Sequence, residues 1–215
     1  FAAELDAALA APESGLASGL AVLRLSLLLH DVNKPQTREE QPDGRITFYK
    51  HQELGSATAG ELLARLKFSS QEIDLVCLLV LEHLRLGFYS DQNPLPPRLI
   101  YRYIRRLGPA TPLAVLHGLA DCLATRGPLN EGGFTAHLEA GATILAHFFA
   151  RDTVAAPPVL LDGNEIMAHL GIGPGRLVGE LKELLAEATA SGEVHDQDQA
   201  REFVRAQFRR ITAGD

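Results

Sequence analysis

Leu27-Leu28-Leu29-His30-Asp31-Val32-Asn33-Lys34-Pro35 is an apolar run that ends abruptly in a His-Asp pair, with Lys and Pro close behind. Three consecutive leucines carry a backbone into a core. An imidazole and a carboxylate placed there cost on the order of several kcal/mol unless something pairs with them. Two outcomes are open for His30 and Asp31: a helix C-terminus that reaches solvent, or a pair of metal ligands. The second requires more ligands elsewhere in the chain.

Upstream, Ser18 is placed to start the helix that runs to Leu29. Phe1 to Leu9 carries apolar residues at positions 1, 5 and 9 and reads as an amphipathic helix that starts without a cap, so we expect residues before Phe1. Pro12, Ser14 and Gly15 break it. Downstream, positions 32–45 hold Pro35, Pro42 and Asp43-Gly44 and predict a loop with a turn, a suitable place for a substrate loop. Ile46 to Tyr49 is a short extended piece. His51 opens a helix whose Gly55, Ala57, Ala59 and Gly60 allow close packing, and Ser69, Ser70 and Glu72 look like the cap of the next. That helix, about Gln71 to Leu84, is apolar along most of its length and ends in His83.

Asn93 to Pro97 predicts a loop and Arg98 to Leu107 a basic helix closed by Gly108-Pro109. Thr111 with Pro112 is expected to cap a helix from Leu113 to Leu123, with His117 and Asp121 one turn apart on one face. Gly127-Pro128 ends it, and a helix from Phe134 to Phe149 follows Gly132-Gly133. Ala155-Ala156-Pro157-Pro158 predicts a boundary between a helical domain over 1–153 and a small C-terminal helical subdomain over 159–215. In the latter, Asp162 or Asn164 caps a helix to Leu170, Arg176 to Ala190 forms another, and Asp196 caps the last. Gly171-Ile172-Gly173-Pro174-Gly175 follows a helix rather than a strand, so we expect a helix-turn-helix connection and not a dinucleotide loop. Strand-like alternation is nearly absent. The fold class is all-α, with nine or ten helices.

The chain has 215 residues, 46% of them hydrophobic, and no apolar run of membrane-spanning length. Cys77 and Cys122 lie far apart inside apolar patterns, as thiols of a reducing compartment do, and a cytoplasmic location is expected. A net charge of −7 argues against a generally basic nucleic-acid surface. One local exception is Arg98, Arg102, Arg105 and Arg106, interleaved with Tyr101 and Tyr103, which forms either a phosphate or RNA grip or a solvated helix face.

His30, Asp31, His51, His83 and Asp121 sit on or at the ends of four apolar helical runs, each of which donates one or two of them. Three His and two Asp suit Mn, Fe, Co, Ni or Zn better than Mg, which prefers oxygen ligands. This order, with Leu28 to Pro35, then Phe48-Tyr49-Lys50-His51-Gln52-Glu53-Leu54-Gly55, then Ala120-Asp121 and Arg126-Gly127, resembles the HD superfamily of metal-dependent phosphohydrolases. More narrowly it is similar to the HD-bearing C-terminal half of bacterial CCA-adding tRNA nucleotidyltransferases and poly(A) polymerases. Leu160 to Gly163, Pro174-Gly175 and Gly192-Glu193-Val194 continue the likeness.

The resemblance implies an HD helical bundle and one or two divalent metal ions held by His30, Asp31, His51, His83 and Asp121. It implies hydrolysis of a phosphomonoester or phosphodiester of a nucleotide or RNA end by metal-activated water, with Asp31 and Lys34 catalytic. Lys34, Arg38, Arg102 and Arg105 are candidates for phosphate or RNA contact, and tRNA is a possible partner. The alternative is a non-catalytic helical module that binds RNA or positions a partner domain. Two departures stand out. The family's usual Gly before the Lys is Asn33, a residue that tolerates a left-handed backbone, and the pattern's initial His, expected upstream of Phe1, has no counterpart. His117 is either an outer partner of the site or a satisfied core histidine, and His137, His147, His169 and His195 have no comparable setting.

Overall fold

The computed structural model describes residues 1–10, 12–13, 17–125 and 133–213. The breaks expected at Ser14, Gly15, Gly127-Pro128 and Gly132 lie outside them. The fold is all-α. Helix α1 (Ala2–Ala10) leads through a two-residue hairpin, β1 (Pro12–Glu13) with β2 (Ala17–Ser18), into α2 (Gly19–Leu29), where the Ser18 hydroxyl accepts from the Ala21 amide at 3.3 Å. A one-turn helix α3 (Lys34–Thr37) then precedes a hairpin of β3 (Glu39–Glu40) and β4 (Ile46–Thr47), turned at Gly44 with φ +79°. The chain continues with α4 (His51–Arg65), α5 (Ser70–Glu82), α6 (Arg85–Ser90) and α7 (Pro97–Leu107). A 3₁₀ turn (Gly108–Ala110) leads to α8 (Thr111–Ala124), α9 (Gly133–Ala150), α10 (Gly163–Leu170), α11 (Arg176–Ala190) and α12 (Gln197–Ala213).

Several expectations change. Lys34 to Thr37 is helical rather than loop, because Pro35 in a first turn needs no amide partner and its fixed φ suits the helix. Asn33 sits at φ −99°, ψ 10°, so no left-handed backbone is required at the position where a Gly was expected. The stretch after His83 resumes as α6, too short to show a helical period, with Leu86 and Tyr89 buried. Thr111 is not a cap: Ala110 holds that position, and the Thr111 hydroxyl donates to the Gly108 carbonyl at 2.7 Å. Ser69 with Glu72 and Asp162 with Glu165 do form reciprocal capping boxes.

Two compact units emerge. The first comprises Phe1–Asn93 with Leu107–Leu145, the second Pro94–Arg106 with Ala146–Asp215. The basic segment groups with the C-terminal residues. Within that unit Arg102 and Arg105 pair with Glu187 and Glu183 of α11. In the second unit, Leu161, Ile166, Val178, Leu181, Leu185 and Val204 are among the residues that bury the faces of α10, α11 and α12.

In the first unit α5 is central, with Val76, Leu79 and Val80 buried as it packs against α4, α2 and α8. Small residues on α4 set its approach: a Cβ on Gly60 would lie 3.3 Å from Cys77 Sγ, and the Ser56 hydroxyl donates to the Cys77 carbonyl at 2.9 Å. Burial pushes the Cys77 thiol up from its usual range. This close, antiparallel seam brings His51 at the start of α4 beside His83 at the end of α5. Gly60→Val is expected to cost about 1–3 kcal/mol by overpacking, read as a lower urea midpoint; an unchanged midpoint would show that the seam is loose.

Candidate metal centre

The helix ends explain where the candidate ligands stand. The last carbonyls of an α-helix have no partner within the helix. His30 is the C-cap of α2 and His83 the C-cap of α5. Each donates Nδ1–H to an orphan carbonyl three residues back, His30 to Leu27 at 2.8 Å and His83 to Val80 at 2.7 Å. His51, at the start of α4, does the same with the Phe48 carbonyl at 2.7 Å, helped by Lys50 in the left-handed region at φ 64°. A carbonyl only accepts, so all three rings carry the proton on Nδ1, and a neutral ring then presents a lone pair at Nε2.

Those Nε2 atoms converge. His51 Nε2 and His83 Nε2 are 3.2 Å apart, and they lie 3.4 Å and 3.9 Å from Asp31 Oδ1. His30 Nε2 lies 3.2 Å from Asp31 Oδ2 and 3.3 Å from Asp121 Oδ1. Both atoms are close enough to pair in charge but misaligned for a hydrogen bond, and buried His30 Nε2 and Asp31 Oδ1 have no hydrogen-bond partner. Acceptors that face acceptors repel unless a cation or a proton lies among them. Among the described residues, His30, Asp31 and His83 each offer a ligand atom within 4.8 Å of the other two. The donor set fits a divalent ion.

Electrostatics follow this packing. Burial opposes a charge on His30, but the Asp121 and Asp31 carboxylates at its Nε2 outweigh it and push the imidazole up to about 10. Burial likewise opposes a charge on Asp31, yet His30 and Lys34 hold its carboxyl far below the usual range. His30 holds Asp121 low against its burial. Burial drives His83 down. His117, fully buried on α8, is pushed down to about 4 chiefly by burial, then by the charge of His30.

The other residues expected at the site fall in different places. Lys34 Nζ is 2.6 Å from Asp31 Oδ2 and 5.6 Å from the centre of the Phe48 ring, so it joins the ligand cluster directly. Arg38 is exposed, with Glu40 3.9 Å away. Arg102 and Arg105 belong to the second unit, at 2.7 Å from Glu187 and 3.1 Å from Glu183. A phosphate there would compete with those carboxylates. His117 is fully buried and its ring nitrogens make no well-aligned hydrogen bond, the Ser26 backbone offering only a poorly aligned one. His137 has a setting that sequence patterning missed. With His83, Gly87, Gly118, Asp121 and Thr125 it lines a cavity of about 140 Å³. Its Nδ1 donates to the Gly133 carbonyl at 2.8 Å, and its Nε2 lies 3.3 Å from where a Cβ on Gly87 would stand. The signal for it is the same as at the ligands, a carbonyl one helical turn back, but it is visible only once α9 is known to meet α6.

The HD domain family profile matches residues 6–126, more than half of the chain. The chain belongs to the HD domain family. HD domains bind divalent metal ions, in agreement with the convergent ligand atoms here. The HD chain is 38% identical over 186 residues to the A-adding tRNA nucleotidyltransferase of Deinococcus radiodurans, covering 86% of this chain and 41% of that protein. It is 34% identical over 184 residues to the CC-adding tRNA nucleotidyltransferase of Thermus thermophilus, covering 84% of this chain and 39% of that protein. The HD chain thus spans about two fifths of the length of these relatives.

Proposed function

We propose that this HD domain is a metal-dependent phosphohydrolase acting on a phosphate ester of a nucleotide or RNA end, with a divalent ion held by His30, Asp31, His51, His83 and Asp121. The observation that carries this is the acceptor-only cluster: His51 and His83 meet at Nε2 with both Nδ1 atoms donating to carbonyls, beside an unpartnered Asp31 oxygen. A divalent ion bound there supplies Lewis acidity toward a phosphoryl oxygen and lowers the pKa of a water. The two Asp31 oxygens address different imidazoles, which suits one ion or two.

The chain's own groups do the rest. Lys34 is held beside Asp31 and neutralises charge on a phosphate that reaches the centre. His137 offers Nε2 to the same cavity as Asp121 and orients the substrate. A second reading is favoured by the names of the relatives: a helical module that binds tRNA or positions a partner domain without hydrolysis.

One experiment separates the two. The protein is assayed with p-nitrophenyl phosphate and bis-p-nitrophenyl phosphate in the presence of Mn²⁺, Co²⁺ or Ni²⁺, with tRNA retardation in a gel run in parallel. Metal-dependent turnover that chelation removes supports the phosphohydrolase. Retardation of tRNA with no turnover under any metal replaces it with the second reading.

A further inference from the structure

His117 pays an unusual cost for its place. It is 0% exposed, yet neither Nδ1 nor Nε2 makes a well-aligned hydrogen bond, the Ser26 backbone offering the ring only a poorly aligned one. A buried imidazole without a well-aligned hydrogen bond is less favourable than an apolar side chain of similar size, so core packing alone favours leucine here. Its position is set by α8: His117 lies one turn before Asp121 and faces the same cluster. Its ring centre is 5.3 Å from that of His30, at 86° between planes, and 5.9 Å from that of His83, at 49°. His30 and His83 are themselves 5.0 Å apart at 73°, so the three imidazoles form a nearly equilateral triangle.

The triangle has a mechanical consequence. The Nδ1 ties of His30 and His83 restrain one atom of each ring, but the torsion about Cβ–Cγ of a histidine is broad, and a single hydrogen bond leaves the plane some freedom to swing. An edge-on ring from a third helix removes that freedom, because aromatic faces and edges attract at these distances. A leucine would fill the space without presenting a flat ring.

We propose that His117 is a positioning residue, whose ring packs against His30 and His83 and holds their planes so that both Nε2 atoms aim at one point. This rests on the metal centre proposed above. It assigns His117 no ligand bond and no proton transfer.

The test uses the full chain with His117→Leu and His117→Phe, Co²⁺ as the probe, and two readouts: Co²⁺ affinity with its visible absorption bands, and melting without metal. His117→Leu is expected to melt at or above the wild-type temperature without metal, since a fully buried imidazole without a well-aligned hydrogen bond is gone. It is also expected to bind Co²⁺ about tenfold or more weakly, with shifted bands. His117→Phe restores a flat ring and is expected to stay within about threefold of wild-type affinity. Co²⁺ affinity unchanged in His117→Leu would overturn the proposal. So would a loss of affinity that appears only with a matching fall in metal-free melting, which is what a purely structural role gives. If the wild type itself takes up no Co²⁺, the metal centre falls and this proposal with it, a failure seen without any variant.

Discussion

Asp31→Asn is expected to abolish stoichiometric metal uptake and, with it, any metal-dependent phosphate ester hydrolysis. Asp31 Oδ2 lies 3.2 Å from His30 and 2.6 Å from Lys34, while Oδ1 lies 3.4 Å from His51 and 3.9 Å from His83. Its two oxygens thus bring three imidazoles and an ammonium to one carboxylate. The amide keeps the shape but loses the negative charge and turns one acceptor into a donor aimed at lone pairs. Loss of an outer partner to a ligand costs about 10–100-fold in metal affinity, and loss of this carboxylate should exceed that. Elemental analysis after reconstitution with Mn²⁺ or Co²⁺, then dialysis, measures it, with far-UV circular dichroism to confirm that the helices remain. Retention of metal at the wild-type stoichiometry would mean that the ligand set is wrong.

The second large effect is on stability. An ion that binds only the folded chain stabilises it by about 2.7 kcal/mol at a hundredfold excess over Kd. For a chain of this size that corresponds to a rise in melting temperature of roughly 5–11 °C. The ion replaces the acceptor-acceptor repulsion between His51 and His83 with attraction and takes the place of the proton that His30 holds against Asp31 and Asp121. Calorimetry or dye-based melting with Mn²⁺, Co²⁺, Ni²⁺ and Zn²⁺ reads the rise directly, and EDTA should reverse it. His83→Leu should remove the rise, because it deletes one of the two Nε2 atoms that meet at 3.2 Å. Identical melting with and without every metal tried would refute the ligand assignment for all five residues at once.

Much of the architecture was legible because it is local. Ser18, Ser69 with Glu72, and Asp162 with Glu165 cap the helices they precede. Thr111 misled for an equally local reason: a 3₁₀ turn at Gly108–Ala110 feeds α8, so its hydroxyl bonds backward instead of forward. Helix α6 escaped because six residues cannot display a period of 3.6. At the site, residue types pointed to His30, Asp31, His51, His83 and Asp121, since each puts a polar group at or on an apolar helix, where burial is costly without a partner. His137 and the pairing of Arg102 and Arg105 were not legible. They depend on which helix faces which across long stretches of chain, and neither a half-exposed histidine nor an arginine-rich face has a pattern that names its neighbour.

His30 and Asp31 therefore end on a division of causes. The sequence by itself determined that a buried helix would stop at His30 and that a histidine at such an end would turn Nδ1 back to the Leu27 carbonyl, because an orphan carbonyl lies within reach three residues away. The same local rule holds at His83 and Val80. Only the tertiary structure decided that the Nε2 atoms meet. Convergence required the close α4–α5 seam at Gly60 and Cys77, the register of α8 that sets Asp121 against His30, and a buried His117 beside both rings. Those are matters of packing between separate helices, where steric fit rather than hydrogen bonding within each helix fixes the arrangement.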